Sequence, residues 1–473
     1  MVSFRHGRFR QQAKFLCHQF VQDPDLPIGK LLSDESVTQA LTAIQGVWLD
    51  RVYPPLVTLW VFLTQVLSAD HSCRAAVARL IAHRVCRGER PCSAETGAYC
   101  QARKRLPEKF FSTLARGAGA ALDASVDPSW HWKGRRVYLF DGSTVSMPDT
   151  PENQKAYPQN TTQQPGIGFP IARIAAFFSL ATGAVIELGI CRYAGKGQGE
   201  VTLLRQLWDV LCPGDVLLTD RLMANWTNIF LMQQRGLELV ARLNKANRKA
   251  DFRRGKRLGR YDHIVSWRKP SSIRSLDRET YQSLPEFITI RECLIRVAQP
   301  GFRTKSIVIV TTLLDPMQTT SDDLGKLYRT RWNVELDLRS LKDTLHMDVL
   351  RCKTPELVRK EIWTHILAYN LIRTIMAQAA IQHRIEPRTI SFKGTVQTLS
   401  AFQSLLLLPD QQSTAARKRI VEQLLDAIVS QRVGDRPDRF EPRLRKRRNK
   451  KYDLLMKPRH EVKLAMAKQV REN

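Results

Sequence analysis

The sequence has no long hydrophobic run. Its most apolar window, Leu56 to Leu67, is shorter than the roughly 20 residues a membrane-spanning helix requires and reads as a buried helix. The basic start MVSFRHGRFRQQAKF is not followed by an apolar stretch and a cleavage site, so no signal peptide is expected. Paired cysteines are missing as well. The nine cysteines, Cys17, Cys73, Cys86, Cys92, Cys100, Cys191, Cys212, Cys293 and Cys352, are odd in number and widely spread, which suits reduced thiols in a cytoplasm. His83, Cys86, Cys92 and Cys100 invite a zinc reading but lack the C-x2-C knuckles of common structural sites, so none is expected. GKGQG, Gly195 to Gly199, lacks the G-x4-G-K-[ST] pattern of a nucleotide-binding loop and reads as a turn before a helix at Glu200. No internal repeat stands out.

Acidic residues are scarce: 45 Asp and Glu face 74 Lys and Arg, a formal charge of +29. Such a chain attracts polyanions in a steeply salt-dependent way, and nucleic acid is the first candidate. The same charge would suit an architectural protein. However, 43% hydrophobic residues and nine tryptophans point to a folded enzyme. A length of 473 residues supports two or three domains.

Up to about Asp127 the apolar spacing is helical, in Ser36 to Val47, Leu56 to Leu67 and Arg74 to Val85. The segment Cys92 to Pro107 predicts a further helix after Ser93, with Tyr99, Arg103 and Lys104 either lying on phosphates or covering the next domain. Pro128, Trp130, Trp132 and Gly134 mark a boundary. The period then changes to that of strands, at Arg136 to Met147, Phe169 to Leu180 and Ala184 to Arg192. A helix at Glu200 to Leu211, a strand at Asp215 to Asp220, a helix at Ala224 to Gln234 and a strand at Leu237 to Leu243 follow. Asn244 to Leu314 interrupts this order with a basic loop or hairpin, Asn247 to Arg260, and strands at Asp262 to Trp267, Glu286 to Val297 and Lys305 to Leu313. Helices are expected at Glu356 to Ile381, Val396 to Leu407 and Ala415 to Ser430. The basic block RLRKRRNKK, Arg443 to Lys451, is read as a DNA contact.

Ser321 to Met347 predicts one long helix. At about 100° per residue Tyr328, Arg331, Glu335 and Lys342 fall within roughly 60° of arc, beside an apolar stripe of Leu327, Val334, Leu338, Leu341 and Leu345. A polar stripe so placed should face a cleft. The pattern Y-x2-R-x3-E-x6-K resembles the YREK signature of DDE transposases of the insertion-sequence-four family, which includes the Tn-five transposase, and the resemblance extends over Leu327 to Arg373. It implies an α/β fold with an RNase H-like catalytic core at residues 128–355 and a β-rich insertion at about 245–314. Helical regions flank it: 1–127, which would recognise element ends, and 356–473, with its basic tail.

The resemblance makes Glu335 the third metal-binding carboxylate and calls for two aspartates upstream on strands. Asp141 follows VYLF and precedes Gly142, and Asp220 ends VLLTD; both stand where α/β folds place working groups. Three carboxylates in one cleft cannot all stay ionised without a cation, and two Mg2+ ions, with Mn2+ as substitute, would remove the repulsion. Arg331, Lys342 and Tyr328 suit phosphate contacts. Arg242 matches a further basic position of the family. Trp267 could stack on a flipped base but is expected to be buried, and His346 is expected to be structural. The expected partners are double-stranded DNA, as terminal inverted repeats and target, and a second copy of the chain in a synapse. An RNase H-like nuclease that cuts without joining, or a non-catalytic DNA-binding regulator, would be the alternatives.

Overall fold

The computed structural model describes residues 34–44, 52–86, 88–246, 248–271, 273, 278–296, 306–406, 414–434 and 453–472. The first helices are α1 (Asp34–Thr42), α2 (Pro55–Val66), α3 (Cys73–Cys86), α4 (Gly97–Arg105) and α5 (Glu108–Ala124). Proline opens α2 at its first turn, where the missing N–H costs nothing. The described residues up to Ala124 contain no strand, as the spacing predicts.

After the boundary the strands begin: β1 (Val137–Ser146), then helix α6 (Pro151–Ala156), β2 (Ile171–Ser179) and β3 (Val185–Arg192). Helix α7 (Glu200–Leu207), β4 (Val216–Thr219), α8 (Trp226–Gln234) and β5 (Glu238–Arg242) complete the series. Glycines at Gly183 and Gly214, with φ of 82° and 88°, turn the chain into β3 and β4, where a Cβ would be strained. β1 pairs antiparallel with β2 and β2 with β3, whereas β1, β4 and β5 are mutually parallel.

The interrupting segment contributes β6 (Lys256–Gly259), β7 (Asp262–Arg268), helix α9 (Arg278–Ser283), β8 (Phe287–Arg296) and β9 (Ser306–Thr311). It does not form a separate body. β9 pairs with β5, giving one nine-stranded sheet in the order β3-β2-β1-β4-β5-β9-β8-β7-β6. Trp267 is buried as expected; its indole donates to Glu292 Oε1 at 2.8 Å, and Arg248 stacks on its ring.

The later helices are α10 (Ser321–Thr330), α11 (Asn333–Arg339), α12 (Pro355–Gln382), α13 (Phe392–Leu406), α14 (Thr414–Ser430) and α15 (Arg459–Glu472). The sheet separates two cores. Leu139, Ala176, Leu218 and Val240 face one side with Leu327, Val334, Leu338 and Ile362, and Tyr138, Phe177, Leu217 and Leu239 face the other with Leu203, Leu204 and Ile229. α12 is buried along most of its length and packs on α5, so the helical region before the sheet and that after it share one core. No described helix is long and apolar enough to cross a membrane. The basic block at 443–451 lies outside the described residues.

Candidate active site

The site is built on one rung of the parallel strands. Leu139 of β1 is level with Leu218 of β4, and Leu218 with Val240 of β5. Two residues further along each strand stand Asp141, Asp220 and Arg242, on the side of the sheet that packs against α10 and α11, because side chains alternate with period two. Adjacent strands lie about 4.8 Å apart, so the two carboxylates and the guanidinium begin as neighbours. Pairing of β1 with β4 stops at Leu139, and the last link is Thr219 Oγ1 donating to Phe140 O at 3.3 Å. The strands part there, which opens a cleft at their carboxyl ends.

Each acid is held in a defined posture. Asp141 Oδ1 accepts from the Gly142 amide at 2.8 Å, and Asp220 Oδ1 accepts from the Leu222 amide at 2.8 Å. Burial pushes the Asp141 carboxyl up to about 6; Gly142 pulls against this, the charges of Glu200 and Asp220 add to it, and Arg331 opposes it.

The expected single helix from Ser321 to Met347 is broken in two places. It starts from a capping box, in which Thr320 Oγ1 accepts from the Asp323 amide at 3.1 Å and Asp323 Oδ2 accepts from the Thr320 amide at 2.9 Å. The last turn of α10 then tightens. Arg331 N donates to Tyr328 O, Val334 N to Arg331 O and Glu335 N to Trp332 O, all three residues apart, which interrupts the four-residue ladder between α10 and α11. Ser340 to Thr344 winds as a π turn, ending at His346 with φ of 55°. A 3.6-residue wheel does not survive either change.

As a result, Tyr328, Arg331 and Glu335 gather about one guanidinium, which the charge of Asp141 also reaches, while Lys342 lies beyond them on the π turn. Arg331 Nη2 bonds Glu335 Oε1 at 2.7 Å. Burial works against the Arg331 charge, but Glu335, Tyr328 and Asp141 outweigh it and hold the guanidinium above its ordinary range. Burial likewise raises the Tyr328 phenol, with Arg331 and Arg242 pulling it down and Asp220 pushing it up. Tyr328, Arg331, Arg242, Asp220 and Asp141 thus sense one another's charge. Lys342 lies on the π turn, half-buried and about 10 Å of helix rise past Glu335. Among the described residues no three His, Cys, Asp or Glu side chains converge closely enough to hold a metal ion.

Two readings of the sequence change. Tyr99 and Arg103 do not lie on phosphates: both are buried, with Tyr99 Oη donating to Gln65 Oε1 at 2.8 Å and Arg103 reaching Gln65 Oε1 and the thiols of Cys73 and Cys100. That helix also begins at Gly97, after Thr96 and not at Ser93. Glu200, by contrast, was not singled out as a site residue. The signal available was a glycine inside a strand, Gly142, combined with an acid at the start of a helix.

Comparisons with known proteins identify relatives of the chain. A family model described as "Transposase DDE domain" matches residues 132–371. The chain is similar to "Transposase InsG for insertion sequence element IS4" of Escherichia coli strain K12, at 25% identity over 448 residues, covering 93% of this chain and 96% of that one. It is also similar to "Putative transposase InsL for insertion sequence element IS186A" of the same strain, 38% identical over 69 residues that cover 15% of this chain and 19% of the relative. Among solved structures it aligns with a piggyBac transposase synaptic complex with hairpin DNA, at a TM-score of 0.43 and 9% identity, covering 90% and 87% of the two chains.

Proposed function

This chain belongs to the DDE transposase family, of the insertion-sequence-four type, and from that premise we propose that Asp141, Asp220 and Glu335 are its catalytic carboxylates. The observation that supports this best is that Asp141 and Asp220 each stand two residues past the paired Leu139 and Leu218, on neighbouring parallel strands, while the helix that carries Glu335 packs on β1. The order β3-β2-β1-β4-β5, with only β2 antiparallel to its neighbours, supports an RNase H-like core at residues 128–355, extended by the insertion at about 245–314. Residues 1–127 would read the element ends, and 356–473 would complete the core and contact DNA.

Oxygen donors at a half-buried, charge-dense position suit a hard divalent cation, and two Mg2+ ions, with Mn2+ as substitute, match the donor set. When bound, the cations would supply the charge that activates an attacking hydroxyl and stabilises a leaving oxygen at phosphorus. The chain's own residues do the rest. Glu335 is engaged by Arg331, so a phosphate that takes over the guanidinium would free the third carboxylate. Tyr328 and Arg242 flank the same phosphate, and Lys342 touches the backbone further along. Asp141 and Asp220 are prepositioned by backbone amides and need no such movement.

The substrate is double-stranded DNA carrying terminal inverted repeats, cut and then joined to target DNA by a homodimer in a synapse. The test is cleavage of end-bearing DNA in Mg2+ by wild type and by Glu335→Gln. Equal cutting by both would refute the assignment. A strand-transfer assay with a pre-cut 3′-hydroxyl end separates transposition from simple nuclease action.

A further inference from the structure

We propose that Glu200 is a positioning residue of the same site, set against Asp141 from the opposite face of the sheet through the opening left by Gly142. The inference rests on the assignment of Asp141 to the active site.

Gly142 lies in the interior of β1, level with Ala175 of β2, and its φ is not in the left-handed region. Backbone conformation therefore gives no reason for a glycine here, and a glycine inside a strand otherwise weakens it. Space gives the reason. A Cβ at Gly142 would stand 2.7 Å from Glu200 Cγ and Oε1. Only the missing side chain lets the Glu200 carboxyl rest against the strand, next to the amide that Asp141 accepts from.

Glu200 is brought there by construction. It is the first residue of α7, with Gly199 as N-cap, after the GKGQG loop in which Gly195 and Gly197 have φ of 125° and 76°. Arg173, on the same face of β2, bonds Glu200 Oε1 at 3.1 Å while its other arm donates to Tyr193 O at 3.1 Å. The guanidinium fixes the direction of the Glu200 carboxyl. Arg173 offsets part of the Glu200 charge. What remains lies beside Asp141 and strengthens the hold of Asp141 and Asp220 on a divalent cation.

The experiment is Mn2+ binding to the full chain, measured by calorimetry, with melting curves in metal-free buffer as a fold control. Glu200→Gln keeps the shape and an acceptor for Arg173 but removes the charge, and it should weaken Mn2+ binding about tenfold or more with the melting temperature held or raised. Glu200→Asp should recover part of the loss. Gly142→Ala, which displaces the flexible Glu200 side chain without removing it, should weaken binding similarly. Binding within twofold of wild type in Glu200→Gln, beside clear loss in Asp141→Asn, would overturn the role of Glu200 alone. Unchanged binding in Asp141→Asn would instead overturn the parent assignment. Should Glu200→Gln fail to fold, wild-type binding by Gly142→Ala overturns the proposal.

Discussion

Two short helical segments carry tyrosine and arginine about one turn apart, Tyr99 with Arg103 on α4 and Tyr328 with Arg331 at the end of α10. As sequence they make the same offer to a phosphate. In the fold, Arg103 is 4% exposed and spends its donors on Gln65 and three thiols, those of Cys73, Cys100 and Cys352, with its guanidinium over the Phe62 and Tyr99 rings. Arg331 keeps a 19% exposed side chain, and its partner is an acid, Glu335, while the charge of Asp141 also acts on it. One arginine closes a core; the other bridges a cleft. The partner, not the residue type or its spacing, separates structural from functional charge.

The largest effect that would sharpen this contrast is at the acids. Asp220→Asn should lower end cleavage on the order of 10^3-fold, as loss of one transition-state charge partner does elsewhere, while end-DNA binding in a shift assay stays within about threefold. Loss of binding in parallel with cutting would place Asp220 in recognition instead. At the arginines, Arg103→Met should cost about 1–3 kcal/mol in chemical denaturation, because Gln65 and Tyr99 lose a buried partner, and should leave the salt slope of DNA binding unaltered. Arg331→Ala should do the reverse: near-wild-type stability, and a log–log salt slope shallower by about one. Matching behaviour of the two variants would erase the distinction drawn above.

A smaller effect concerns pH. His71 and His365 lie between the N-terminal helices and α12, with ring centroids 6.1 Å apart, and burial lowers them from 6.5 to about 4 and about 3, with neighbouring histidine charge adding to the shift. The unfolded chain takes up these protons first. Stability should therefore be full above 6.5 and fall as pH drops toward 4, by up to about 1.4 kcal/mol per pH unit for each fully responsive histidine. His365→Phe should flatten the dependence of melting temperature on pH in that window; an unchanged slope would discard this account. Smallest of all, Lys342→Ala should weaken DNA binding about twofold, with the salt slope shallower by less than one, since it stands apart from the Arg331 group.

Most strands and helices were legible in the sequence to within a few residues. β1, β2, β4 and β5 follow runs of β-branched and aromatic residues, and α12 follows an apolar stretch opened by Pro355. Apolar strand runs also disclosed Asp141, midway along β1, and Asp220, just past β4, as acids that directly follow buried residues. The break at Arg331 and the π turn at Ser340 were not legible, since nothing in SDDLGKLYRTRWNVELDLRSLKDTLHM interrupts helical propensity. The role of Gly142 was equally hidden, because its contact comes from a helix some sixty residues away in the chain.

Local patterning determined which segments became strands or helices, which residues turned inward and which acids reached the strand ends, because those choices depend on neighbours a few positions away. Only tertiary packing decided that Asp141, Asp220 and Arg242 stand just past one shared rung, that Glu335 is tied to Arg331, and that Arg103 is sealed inside. Those outcomes depend on strand register and on how helices from distant parts of the chain close over the sheet, and no short stretch of sequence contains either.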